Sequence, residues 1–157
     1  MTELFSIREL LQVAIEEEQT GAAFYRALAE ETNDRELEAF ALRVAQMEDA
    51  HEELFADLLE RCRKADIGRE AAGDYMTYMA QDRVLTSEED ARRMAQNIDD
   101  PVEAAARALE LERQTLLFFL EIKEFVPDDQ VALLEEVIDE ERQHVTDWMQ
   151  FKQKHFG

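Results

Sequence analysis

The sequence predicts an all-α protein: a four-helix bundle built from two helix hairpins joined by a long crossover. Three observations predict it. Only 4 Gly and 2 Pro punctuate 157 residues, too few for the turns of a sandwich or barrel. Apolar residues recur at helical spacing through four long stretches. Those stretches begin at residues suited to capping a helix. The length suits one domain, residues 1–157, with the crossover at about 65–100.

The elements follow in order. Ser6 with Glu9 forms a capping box, with Phe5 against Leu10 as its hydrophobic staple, and the first helix runs to about Glu31. Asn33 with Glu36 reads as a second capping box, opening a helix to about Lys64. The crossover contains Gly68, Gly73 and a start signal at Thr86/Ser87, and is expected to hold one or two short helices. Asp100 before Pro101 starts the third long helix, which is expected to run to about Phe125. Pro127 ends it, Asp128 or Asp129 caps the last helix, and that helix runs close to the C-terminus. Two tight helix pairs with one long crossover is a known wiring of the four-helix bundle.

Charge removes whole classes of function. With 17 Lys and Arg against 38 Asp and Glu the net charge is −21, which argues against nucleic acid and against an anionic membrane surface as partners. The 46% hydrophobic content is not that of a disordered acidic chain. The single cysteine, Cys62, makes no internal disulfide, Cys-x-x-Cys pair or four-cysteine metal site. It is expected to be a small buried apolar residue rather than a redox thiol. Charged residues in the first 20 positions fit neither a signal peptide nor an anchor, and no apolar run approaches the roughly 20 residues of a membrane span. The expectation is a cytoplasmic protein.

The decisive feature is what interrupts the apolar rows. Glu18 stands in the row Leu4, Leu11, Glu18, Tyr25 of the first helix. The second helix gives Leu37, Val44, His51, Leu58 and Ala41, Glu48, Phe55, Cys62. The third gives Ala105, Glu112, Phe119, and the fourth gives Leu134, Glu141, Trp148 and Val137, His144, Phe151. Six polar residues thus occupy core positions. Their heights match too. Glu18 and Glu48 lie 15 residues either side of Asn33, and Glu112 and Glu141 lie 15 and 14 residues either side of Pro127. Each is therefore about 22 Å from its turn at a rise of about 1.5 Å per residue.

Four ionised carboxylates in one core are prohibitive without counter-charge. Two divalent cations supply +4, which balances four carboxylates and two neutral imidazoles. Glu48/His51 and Glu141/His144 are Glu-x-x-His pairs, so both side chains of each reach one helix face. One Glu from each of two helices with a Glu-x-x-His from the other two is the pattern of carboxylate-bridged di-iron and di-manganese bundles. The metal residues are therefore expected to be Glu18, Glu48, His51, Glu112, Glu141 and His144. Two metal ions per chain are expected, iron first, with manganese or zinc as alternatives. The halves also repeat. Ala14–Glu18 matches Ala108–Glu112 at an offset of 94, Phe24-Tyr25 falls on Phe118-Phe119, and Glu48–His51 falls on Glu141–His144 at 93.

AIEEEQTGAAFY from Ala14, EDAH from Glu48, ALELERQTLLFF from Ala108 and ERQH from Glu141 together resemble the rubrerythrin-like branch of the ferritin-like superfamily, over nearly the whole chain. The resemblance implies a ferritin-like bundle in which Glu48 and Glu141 bridge two metals and Glu18 and Glu112 bind terminally. It implies reduction of peroxide or dioxygen by Fe(II), of peroxidase or ferroxidase type. Tyr25 is then expected to hydrogen-bond a ligand carboxylate. The chain departs from the family's pattern in three places. A further Glu one turn after Glu112 is replaced by Thr115, with Gly21 as its counterpart. The second Tyr is Phe119. The four-cysteine rubredoxin domain is not among these residues, so a separate electron-donor protein is implied.

An iron-binding or storage protein without sustained turnover is the alternative to this oxidoreductase reading, and a helical module with structural zinc or manganese is a third. Association is expected as a homodimer or larger homo-oligomer. Among the remaining residues, Glu16, Glu17, Glu52, Glu53, Glu135 and Glu136 are read as solvated faces, Glu17 being able to reach a neighbouring chain. His155 is read as exposed. Tyr75, Met76, Tyr78 and Met79 are expected to pack the crossover onto the bundle, with a lid or dimer contact as the alternative.

Overall fold

The computed structural model describes residues 3–156. Four long helices, α1 (Ile7–Glu31), α2 (Arg35–Lys64), α5 (Pro101–Ile122) and α6 (Val131–Phe156), form the bundle. The crossover carries two short ones, α3 (Asp74–Gln81) and α4 (Glu88–Gln96). Among the described residues the sole β feature is an isolated bridge between Ser6 and Ala71, and no helix is long and apolar enough to cross a membrane. The all-α bundle of two hairpins with a helical crossover is the fold the sequence predicts.

The first turn of α1 shows how the crossover is anchored. A helix begins with backbone N–H groups that lack intrahelical partners. Ser6 Oγ accepts from Glu9 N, while the Glu70 and Gly68 carbonyls accept from Ile7 N and Arg8 N at 3.2 and 2.8 Å. Gly68 reaches this position at φ +82°, a conformation that side-chained residues rarely adopt. Arg8 adds hydrogen bonds to the Ile67 and Cys62 carbonyls. The start of the chain is thereby tied to the end of α2.

Several local expectations shift. Asp34, not Asn33, caps α2; its Oδ1 accepts from Leu37 N at 2.9 Å. Helix α5 stops at Ile122, because the chain tightens into i→i+3 bonds such as Phe125 N to the Ile122 carbonyl ahead of Pro127. No Asp side chain caps the last helix; a 3₁₀ turn, Asp128–Gln130, leads from Pro127 straight into α6. Leu4 precedes the helix and is exposed. Met76 is buried and Met79 partly buried in the crossover packing, but Tyr75 and Tyr78 are exposed. His155 is only partly exposed: its ring stacks on Phe151 and Nδ1 meets the Phe151 carbonyl at 3.0 Å. Cys62 is buried, as expected.

The apolar interior comes in two blocks. One contains Leu10, Leu11, Phe55, Leu58, Phe119 and Leu134. The other contains Phe24, Leu28, Leu37, Phe40, Val44 and Trp148. Along α1, α2, α5 and α6 alike, the segment between the blocks holds the buried polar residues.

Candidate metal centre

Helical periodicity brings Glu18 from α1, Glu48 and His51 from α2, Glu112 from α5, and Glu141 and His144 from α6 into that layer. All six are buried, none more than 3% exposed. They form two overlapping groups whose ligand atoms lie within 4.8 Å of one another: Glu18, Glu48, His51 and Glu141, then Glu48, Glu112, Glu141 and His144. Glu48 and Glu141 belong to both. Each imidazole turns Nδ1 into the layer: His51 Nδ1 is 3.0 Å from Glu141 and 3.6 Å from Glu18. His144 Nδ1 is 3.4 Å from Glu141, 3.5 Å from Glu48 and 3.7 Å from Glu112.

The layer is not satisfied from within. Both oxygens of Glu18, Oε1 of Glu48, Oε2 of Glu141 and Nδ1 of His144 have no hydrogen-bond partner. Buried polar atoms are seldom left unpaired in a native protein, and these converge on one another. Oxygen and imidazole donors of this kind suit divalent iron, manganese or zinc. The donor set therefore fits a pair of metal ions.

Protonation tells the same story. Burial, aggravated by the neighbouring Glu141 charge, pushes Glu18 well above the usual carboxylate range and Glu112 up to about 8. Burial and then the Glu18 charge do the same to Glu48. Glu141 goes the other way: burial and Glu48 act to raise it, but the close-set Glu112, His144 and His51 prevail and hold it down. Burial opposes the charged form of both imidazoles, yet the facing carboxylates win, lifting His51 to about 9 and His144 higher still. Without cations the layer thus holds protons as its counter-charge.

Around the layer, Tyr25 OH donates to Glu112 Oε1 at 2.5 Å, the contact expected of it with a carboxylate. Glu17 corrects its reading as a solvated residue: it is 8% exposed. Burial lifts it to about 7 against the opposing pull of Arg83. It turns away from the layer toward Arg83 Nη1 at 3.4 Å and Thr115 Oγ1 at 3.5 Å. There it lines a surface cavity of about 520 Å³ with Tyr75, Tyr78, Met79 and Phe118. The internal repeat carried the signal for its burial, since the offset of 94 pairs Glu17 with the apolar Leu111. Arg83, Glu140 and Met47 were not singled out in the sequence; Glu140 Oε2 meets His51 Nε2 and Met47 Sδ meets His144 Nε2.

A sequence profile of the rubrerythrin family matches residues 9–152. The chain belongs to the rubrerythrin family. The fold agrees with a crystal structure from Thermotoga maritima, described as a ferritin-like diiron-carboxylate protein. That structure is 22% identical, is matched over 99% of both chains and gives a TM-score of 0.81. A search of curated protein sequences finds no match. In this rubrerythrin-family chain the expected ligand positions of both halves meet in one buried layer.

Proposed function

We propose that this chain is a di-iron carboxylate oxidoreductase that reduces peroxide or dioxygen. The observation that carries the reading is the pair of overlapping ligand groups sharing Glu48 and Glu141, with converging unpaired oxygens. Glu18 and His51 would hold one ion, Glu112 and His144 the other, and Glu48 and Glu141 would span both. A bound iron pair would supply the two electrons that peroxide reduction consumes.

The chain's own part is orientation and exclusion. Each Nδ1 must be free of its proton to ligate, which leaves the ring proton on Nε2, where Glu140 accepts it from His51. Tyr25 holds its proton at Oη against Glu112, fixing that carboxylate's rotamer. The apolar blocks on either side keep bulk water from the layer and raise the strength of every charge interaction inside it. Electrons would come from a donor outside these 157 residues, whose single cysteine cannot build a four-cysteine relay.

Metal analysis of protein purified without oxygen tests the reading. Two equivalents of iron per chain are expected, with uptake stopping there; uptake of many irons would instead support storage. Glu48→Ala and Glu141→Ala should each lose both ions. Retention of one full equivalent in both variants would remove the bridging assignment. Fe(II) loaded anaerobically should be oxidised by stoichiometric peroxide, and an unresponsive metal would point to a structural role.

A further inference from the structure

The internal repeat that doubles the hairpin is broken around the metal layer, and the breaks favour the same half. His51 and His144 turn Nδ1 inward alike, so the outward Nε2 of each carries the ring proton when Nδ1 ligates. At His51, Nε2 donates to Glu140 Oε2 at 2.5 Å. The offset of 93 that maps His51 onto His144 also maps Met47 onto Glu140. His144 Nε2 accordingly faces Met47, its Sδ 3.2 Å away. A carboxylate draws the ring proton outward and makes the opposite nitrogen a stronger donor to a cation, whereas a thioether is a weak acceptor.

The second break concerns the end carboxylates. Tyr25 OH donates to Glu112, so part of that carboxylate's charge is already engaged. The offset of 94 maps Tyr25 onto Phe119 and Glu112 onto Glu18, and Phe119 has no hydroxyl to offer. Both oxygens of Glu18 are indeed without a hydrogen-bond partner. One half therefore combines an unengaged carboxylate with a carboxylate-backed histidine. The other combines an engaged carboxylate with a histidine backed by sulfur.

We propose that the two metal positions are unequal by construction: the Glu18–His51 position binds more tightly and fills first, with Glu140 and Met47 as the positioning residues that set the difference. The inference rests on the two-metal reading above and adds the order of loading to it. Glu140 is half exposed and Met47 lies at the edge of the core, so both can be changed without opening the interior.

Anaerobic calorimetric titration of the metal-free protein with Co(II), which binds without changing oxidation state, tests it. Two resolved steps are expected, with dissociation constants at least about tenfold apart. Glu140→Gln should weaken the first step by about 10–100-fold, the usual effect of losing a histidine's outer partner, and leave the second in place. Met47→Glu, which gives His144 the missing carboxylate, should tighten the second step alone. Two equal steps in the wild type, or equal weakening of both by Glu140→Gln, would overturn the inequality while the two-metal reading stands. Uptake of fewer than two Co(II) would overturn that reading and this inference together.

Discussion

Gly21 sits in the middle of α1, where glycine costs a helix about 1 kcal/mol relative to alanine. Its place is explained by Glu48: a Cβ at residue 21 would lie 3.0 Å from Glu48 Oε2, too close without displacement of that carboxylate. Gly21→Ala should therefore separate folding from binding. The metal-free protein should melt at the same temperature or higher, since the helix gains and the unligated carboxylate can swing aside. Metal affinity should fall by about tenfold or more, the scale of a misplaced ligand partner. Paired melts and metal titrations check this, and unchanged affinity would mean that Glu48 is not confined by residue 21. At this scale the six candidate ligands were legible because each interrupts an apolar row, a one-dimensional signal. Glu140 and Met47 were not legible as partners: which ring nitrogen turns outward, and what meets it, depends on how the two hairpins pack. Glu17 was misread because it lies in an unbroken run of three acidic residues, Glu16 to Glu18, while its burial depends on Arg83 arriving from the crossover.

Helix boundaries were legible to within a few residues, and their displacements have local causes. Asn33 and Asp34 are both good caps and adjacent, so the sequence alone does not choose between them. Thr32 makes the choice: its Oγ1 accepts from Asp34 N at 3.1 Å, which leaves the Asp34 carboxylate free to reach Leu37 N. Asp34→Ala should cost about 1 kcal/mol of stability, as loss of a capping carboxylate usually does, whereas Asn33→Ala should stay within about 0.5 kcal/mol. Urea denaturation of the two variants decides it, and the reverse ranking would return the cap to Asn33. The crossover was legible only as a place for short helices. Its attachment through Gly68 and Glu70 to the first turn of α1 is a long-range contact with no periodic signature.

For the whole molecule, the polar layer between two apolar blocks makes stability depend on what fills it. Glu17 at about 7, Glu112 at about 8 and His51 at about 9 are all raised above their ordinary values. The folded metal-free protein therefore binds these protons more tightly than the unfolded chain. That stability is fully present below the unfolded values, about 4.3 for Glu and 6.5 for His. It is lost as pH rises through the folded ones. The melting temperature of metal-free protein should fall between about pH 5 and pH 9; a flat or rising profile would contradict the buried cluster. Metal reverses the contribution of Glu112 and His51, because ligation requires both deprotonated. The two curves should separate most at high pH and merge near pH 4. The fold class and the existence of this layer were legible from the repeat and from matched helix heights, but the pairing of protons with carboxylates inside it was not. The apolar block that contains Phe24 and Phe40 carries one further consequence. Trp148 is the single tryptophan of the chain. It is fully buried, lies four residues beyond His144 and stacks on Tyr25 at 5.7 Å between ring centroids. Tyr25 in turn holds Glu112. The molecule thus contains a built-in optical reporter of its own centre: the emission of one indole, excited without any label, is positioned to dim as a paramagnetic ion settles beside the ring it stacks on.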